Sequence, residues 1–197
     1  MYSSRPGLMI GFTSCHNVFS MVSVIASQFM VVMNGHDWLG YGFYFWENNY
    51  ERALDFATHP PGKKQIKTPA VLGAVIDLEF SLDLMDTECI CLVRESYNNL
   101  RSSVNTLHWD LPENKKTTGS RDLLLRELDC AVIENLHIQR KLRRETAFDS
   151  VRGLFVEGDP IYNGADFHEK SHVQICIRNP NCIKGFFIPR KEINWAG

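Results

Sequence analysis

Between Leu39 and Ala57 the chain reads LGYGFYFWENNYERALDFA, and this stretch limits the possible folds more than any other. Gly40 and Gly42 remove side chains where another group can approach the backbone. Strand alternation puts Tyr44 and Trp46 on one face and Phe43 and Phe45 on the other. One aromatic face joins a core. The other either packs as a plain aromatic strand or stacks a flat heteroaromatic ring, a contact worth about 1–3 kcal/mol by analogy with base stacking. Asn48 or Asn49 can cap a following helix that carries Tyr50, Ala53, Leu54 and Ala57. His59-Pro60-Pro61-Gly62 then stops it.

The rest of the sequence is consistent with one domain spanning 1–197. A chain of 197 residues buries about 70% of its unfolded surface on folding. Hydrophobic content of 44% and charged content of 22% exclude a disordered or fibrous chain. The formal charge of -2 gives no global attraction to nucleic acid or to an anionic membrane. The one dense basic run, Arg140, Lys141, Arg143 and Arg144, reads as a solvated helix end whose cations complement the dipole, with a few phosphates as its alternative ligand. Six cysteines lie in apolar runs and read as small core residues of a reducing compartment, so the expected location is cytoplasmic. No N-terminal signal is evident. Val18–Met33 carries no charge, but its 16 residues fall short of the roughly 20 a bilayer span needs. It reads as a buried helix before a turn at Asn34-Gly35, with no membrane partner.

Along the chain, Leu8–Cys15 reads as a first strand and Ala70–Leu84 as a buried strand block. Asp86 begins a helix to about Val104, and His108–Ser120 reads as a loop. Arg121–Arg144 has helical spacing, with Leu124, Leu128, Val132 and Leu136. Phe148–Phe155 reads as a loop that continues to Phe167, and His172–Arg178 and Ile183–Ile188 read as late strands. Strands at both ends with helices between them predict an α+β fold.

The Gly40–Trp46 string resembles the second signature of ADP-ribosyltransferases of the poly(ADP-ribose) polymerase type. In that family a G-x-G-I-Y-F run enters a helix with a small residue about nine positions after the tyrosine; here these are Tyr44 and Ala53. The resemblance implies a split β-sandwich of two mostly antiparallel sheets with flanking helices and NAD in the cleft. It implies that Tyr44 stacks on nicotinamide. Upstream, Ile10-Gly11-Phe12-Thr13-Ser14-Cys15 matches the strand that ends in His-Gly in the family, with Thr13 in place of the histidine and His16 as its rival. Gly11, Phe12, Thr13, Ser14 and Gly42 are thereby expected around NAD. Downstream, His172-Val173-Gln174-Ile175-Cys176-Ile177 matches the strand that carries the family's catalytic glutamate. Gln174 is the expected counterpart, with Glu47 or Glu169 supplying the missing charge.

By position, residues 148–167 correspond to the acceptor-recognition segment, with Arg152, Phe155 and Tyr162 as candidates. WENNYERAL, VIDLEFSLDL, FDSVRG and HVQICIRNPNCIKGFF resemble a bacterial and fungal branch of the superfamily. That branch includes toxins of anti-phage toxin-antitoxin-chaperone systems that modify messenger RNA. The resemblance therefore implies a mono-ADP-ribosyltransferase toxin with a macromolecular acceptor, RNA before protein, and an antitoxin partner. A non-catalytic nucleotide-binding module is the alternative.

Metal and hydrolase readings are weaker. His168, His172, Cys176 and Cys182 have ligand-like spacing, but strand residues four apart are separated by about 13 Å, too far to share one zinc ion. No metal is expected. Cys15 and Cys176, with His16 or His172, lack an activating environment for a thiol nucleophile. The glycines fit neither a P-loop nor a dinucleotide fingerprint.

Overall fold

The computed structural model describes residues 7–15, 33–60, 66–116 and 122–190. The expected helix within 16–32, and His16, lie outside the described residues. The elements in chain order are β1 (Met9–Cys15), β2 (Phe43–Glu47), α1 (Tyr50–Thr58), β3 (Ala70–Ile76), β4 (Ser81–Asp83), α2 (Thr87–Leu107), β5 (Asn114–Lys115), β6 (Leu125–Arg126), α3 (Glu127–Leu142), β7 (Ser150–Phe155), β8 (His172–Ile177) and β9 (Ile183–Phe187).

Seven strands form one sheet in the order β4-β7-β8-β2-β1-β3-β9, and β5 and β6 form a small ribbon. All neighbours in the large sheet run antiparallel except β4 and β7. The α+β class is as expected. Of the two sheets, the large one is mostly antiparallel and carries nearly all the strand pairing, and the other is the small β5–β6 ribbon.

The register fixes what each face presents. Trp46 lies opposite Phe12 and Gln174, and Gln174 lies opposite Gly153, so these four form one row on one face. Phe45, Ile175 and Arg152 line up on the other face. That second face holds a core of Phe45, Ala74, Ile76, Leu78, Ile175, Ile177 and Cys182.

Helices cover the first face at two places. Near β1–β3, Ala53 of α1 packs with Trp46 and Val71. Near β7 and β8, Cys89, Ile133 and Leu136 of α2 and α3 pack with Leu39, Leu82, Val151 and Cys176. A gap between these packings exposes the middle of the face.

Local chemistry accounts for the boundaries. Asn49 caps α1 by accepting from Arg52 N at 3.0 Å, and Asp86 caps α2 by accepting from Glu88 N and Cys89 N at 2.9 and 3.1 Å. The helix expected from Arg121 starts only at Glu127, because Leu125–Arg126 pairs with Asn114–Lys115. Asn114 Oδ1 then accepts from Leu128 N and Asp129 N at 3.0 and 3.3 Å, capping α3 from 14 residues upstream. Arg140 of the basic run pairs with Glu145 and lies over the Phe148 ring at 4.5 Å, which binds the end of α3 to the core.

The largest departure is at 148–155. Ser150–Phe155 is a nearly fully buried strand inside the sheet, where a loop is expected. None of the six cysteines forms a disulfide; five are buried and Cys91 is exposed. No helix among the described residues is long and apolar enough to cross a membrane.

Candidate functional site

The gap between the two helical packings is a cavity of about 460 Å³. Tyr44, Trp46 and Gln174 come to it from neighbouring strands β2 and β8. One wall is Arg52 and Phe56 of α1; the other is Trp38, Phe155, Leu124 and Arg126. Asn34, His36 and Asp37 close a third side, and Glu157 follows Phe155.

The Gly-aromatic string is held rigidly. Gly40 has φ +82°, and a Cβ there would meet Ile133 Cγ2 at 2.9 Å, so only glycine fits. The Tyr44 hydroxyl donates to Gly40 O at 2.8 Å and accepts from Leu39 N at 2.9 Å. Burial therefore keeps its pKa well above the usual phenol value. Glu134 of α3 accepts from Tyr41 N at 2.8 Å and pairs with Arg178, whose Nη1 also donates to Tyr41 O at 2.9 Å. Gly42 has a packing role as well, since a Cβ there would collide with Cys176 Sγ and Ile177 O.

Gln174 is oriented by Trp38, whose Nε1–H donates to Gln174 Oε1 at 2.7 Å. The Trp38 ring meets Phe155 edge to face at 4.9 Å, and the Arg126 guanidinium covers the Phe155 ring at 4.6 Å. Arg126 is in turn held by Leu123 O at 2.7 Å and Asp129 at 3.3 Å. One wall is thus a stack of flat groups with a cation at its edge.

Two carboxylates border the cavity. Burial raises the pKa of Asp37, opposed by His36 and by the bond from Asn34 Nδ2 at 3.1 Å. Glu157 is only 6% exposed and accepts from Arg52 Nη2. Behind them, His172 is 5% exposed and stacks on Phe155 at 5.3 Å. Its Nδ1–H donates to Lys170 O at 2.6 Å. Burial, helped by Arg52, lowers its pKa to about 4. It is neutral near pH 7, so its 4.0 Å approach to Glu157 is no ion pair.

Compared with known proteins, the chain matches no family model, no curated protein and no solved structure.

Six expected residues border this cavity: Thr13, Ser14, Gly42, Tyr44, Phe155 and Gln174. Within β1 the pleat puts Ser14 on the cavity face and turns the buried Thr13 side chain to the face it shares with Cys15. Others lie elsewhere. Arg152, expected to contact an acceptor, is 4% exposed on the opposite face of the sheet. There it holds Glu47 through Nε at 2.5 Å and Nη2 at 3.0 Å, and Asp83 at 3.2 Å. The same triad holds Glu47 on that face, outside the residues that border the cavity. Glu169 is exposed, on a turn where its N–H donates to Asp159 O at 3.0 Å. Tyr162 is 59% exposed on the same connection. Ala53 is a packing residue, as is Gly11, where a Cβ would lie 2.6 Å from Ile76 Cδ1. Phe12 packs edge to face on Tyr50 at 5.7 Å.

The sequence reading missed Trp38, Asp37, Arg52, Arg126 and Glu157. His36-Asp37-Trp38, directly before the glycine string, was the one available signal. The others depend on contacts between distant segments. Among the described residues, no cluster of three or more His, Cys, Asp or Glu side chains could hold a metal ion.

Proposed function

We propose that this cavity binds NAD and that the protein is a cytoplasmic mono-ADP-ribosyltransferase acting on a macromolecular acceptor, RNA before protein. The observation that carries the reading is the adjacency of β1, β2 and β8. These are the three strands that carry the resemblance, and Ser14, Tyr44 and Gln174 border one cavity. Its volume and its mixture of aromatic walls with a few polar groups suit a nucleotide.

In this reading Tyr44, Trp38 and Phe155 provide flat surface for the nicotinamide ring, and Arg126 meets the diphosphate. Gln174, fixed by Trp38, orients the nicotinamide ribose. The negative field expected of Glu47 or Glu169 comes instead from Asp37 and Glu157, the carboxylates that border the cavity. In the transfer, the bond from C1′ to the nicotinamide nitrogen breaks, the acceptor bonds to C1′, and the acceptor's proton passes to solvent or to a carboxylate. Tyr162 and Phe167 are exposed on the connection between β7 and β8 and offer stacking surface to an acceptor base. A toxin role, with an antitoxin partner, follows from the resemblance alone.

Two observations favour a non-catalytic NAD-binding module. Gln174 carries no charge, and Glu157 is already engaged by Arg52. Chromatographic detection of nicotinamide after incubating the purified protein with NAD and RNA decides between the readings. The transferase reading requires release that falls at least about tenfold in Gln174→Ala and Asp37→Asn. NAD binding without release supports the module, and neither binding nor release removes both.

A further inference from the structure

The α1 wall of the cavity and Trp46 of β2 beside it carry N–H groups that the proposed reaction leaves unused. Trp46 Nε1 and Arg52 Nε are buried without a hydrogen-bond partner among the described residues. Both side chains border the cavity. Trp46 is 5% exposed, and the Arg52 guanidinium lies 5.9 Å from its ring centre. The other nitrogens of Arg52 are engaged, Nη1 by Asp55 at 3.1 Å and Nη2 by Glu157 Oε2. Glu157, which accepts from Arg52 through Oε2, also borders the cavity. Phe56 stands beside them, 5.1 Å from Trp46.

Buried N–H groups without partners are costly, and where they border a cavity a ligand can supply the missing acceptor. The pattern here is two donors beside one carboxylate acceptor, with aromatic surface on either side. Local charge balances, because Arg52 and Lys170 face Asp55 and Glu157. A bare anion therefore gains little. A neutral planar group with a carbonyl next to an N–H satisfies all three positions.

We infer that Trp46, Arg52 and Glu157 form a subsite that reads an amide or lactam edge, taking its carbonyl on Trp46 Nε1–H and Arg52 Nε–H and its N–H on Glu157. The same edge occurs on the carboxamide of nicotinamide and on the six-membered ring of an oxopurine base. The inference rests on the reading of this cavity as a ligand site and is independent of NAD cleavage.

The test is calorimetric titration of the full chain with two matched pairs: nicotinamide against nicotinic acid, which lacks the amide N–H, and inosine against 1-methylinosine, in which the lactam N–H is blocked. The intact edge in at least one pair binds about tenfold or more tightly than its blocked partner, the value of one well-made hydrogen bond. The pair that discriminates identifies the source. Trp46→Phe, which keeps the ring and loses the donor, abolishes the discrimination. Arg52→Lys, which lacks the Nε–H in its place, does the same should Trp46→Phe fail to fold. Equal binding within both pairs, no binding of any probe, or discrimination retained in the folded variants overturns the subsite. Edge discrimination without nicotinamide release from NAD leaves the subsite standing and removes the transferase reading.

Discussion

Arg152 is buried with its charge met by Glu47 of β2 and Asp83 of β4. Removing the cation leaves two half-buried carboxylates without their shared partner. Arg152→Met is therefore expected to lower stability by about 2 kcal/mol, the cost of leaving two half-buried carboxylates without their cation. Urea denaturation measures it, and a loss below about 1 kcal/mol means the triad is not the pin it resembles. From the sequence alone, an arginine between a valine and a glycine in FDSVRGLF reads as a loop residue. Its partners lie 105 and 69 positions away and leave no local trace.

His172 shows the same principle in titration. Its pKa falls from 6.5 to about 4 because burial penalises the charged ring. As pH drops below about 6.5, the unfolded chain takes up a proton that the folded protein refuses until about pH 4. This residue therefore costs stability over that window, on the order of 3 kcal/mol in all. In His172→Gln, unfolding free energy measured from pH 7 to pH 4 should fall less steeply than in the parent. Parallel curves would show that His172 is not buried neutral.

At the scale of elements, the legible parts were those with local causes. Asn49 and Asp86 announce α1 and α2 because a cap acts within three residues. The alternation of Gly42–Trp46 gives both faces of β2, since the pleat has period two. The start of α3 was misread because Leu124 and Leu128 continue its spacing, while a ribbon with Asn114 breaks it. That ribbon positions Arg126 at the cavity, and Arg126 N also donates to His36 O at 3.1 Å. Asn114→Ala is expected to cost about 1 kcal/mol in thermal or urea unfolding. NAD affinity should weaken with it, because the wall made by Arg126 loses its anchor. Unchanged affinity alongside the stability loss would separate the ribbon from the site.

At the scale of the whole molecule, the α+β class was legible in the order of strands and helices, whereas the sheet order was not. The cavity gathers Ser14, Asp37, Arg52, Arg126, Glu157 and Gln174 from segments that no periodicity links. Sequence reasoning found those on strands with a recognisable pattern and missed those placed by packing. Tyr44 stands between the two cases: its place was legible, but its hydroxyl bonds to Leu39 and Gly40 were not. Tyr44→Ala would remove fold and site together, so the cleaner probe of the cavity is Gln174, whose side chain bonds only Trp38 among the described residues. Calorimetric titration of NAD into the parent protein and into Gln174→Leu tests the central claim most directly. The account predicts saturable binding at one site, weakened about tenfold or more when the carboxamide is lost. No binding to the parent, or equal binding to both proteins, would contradict it.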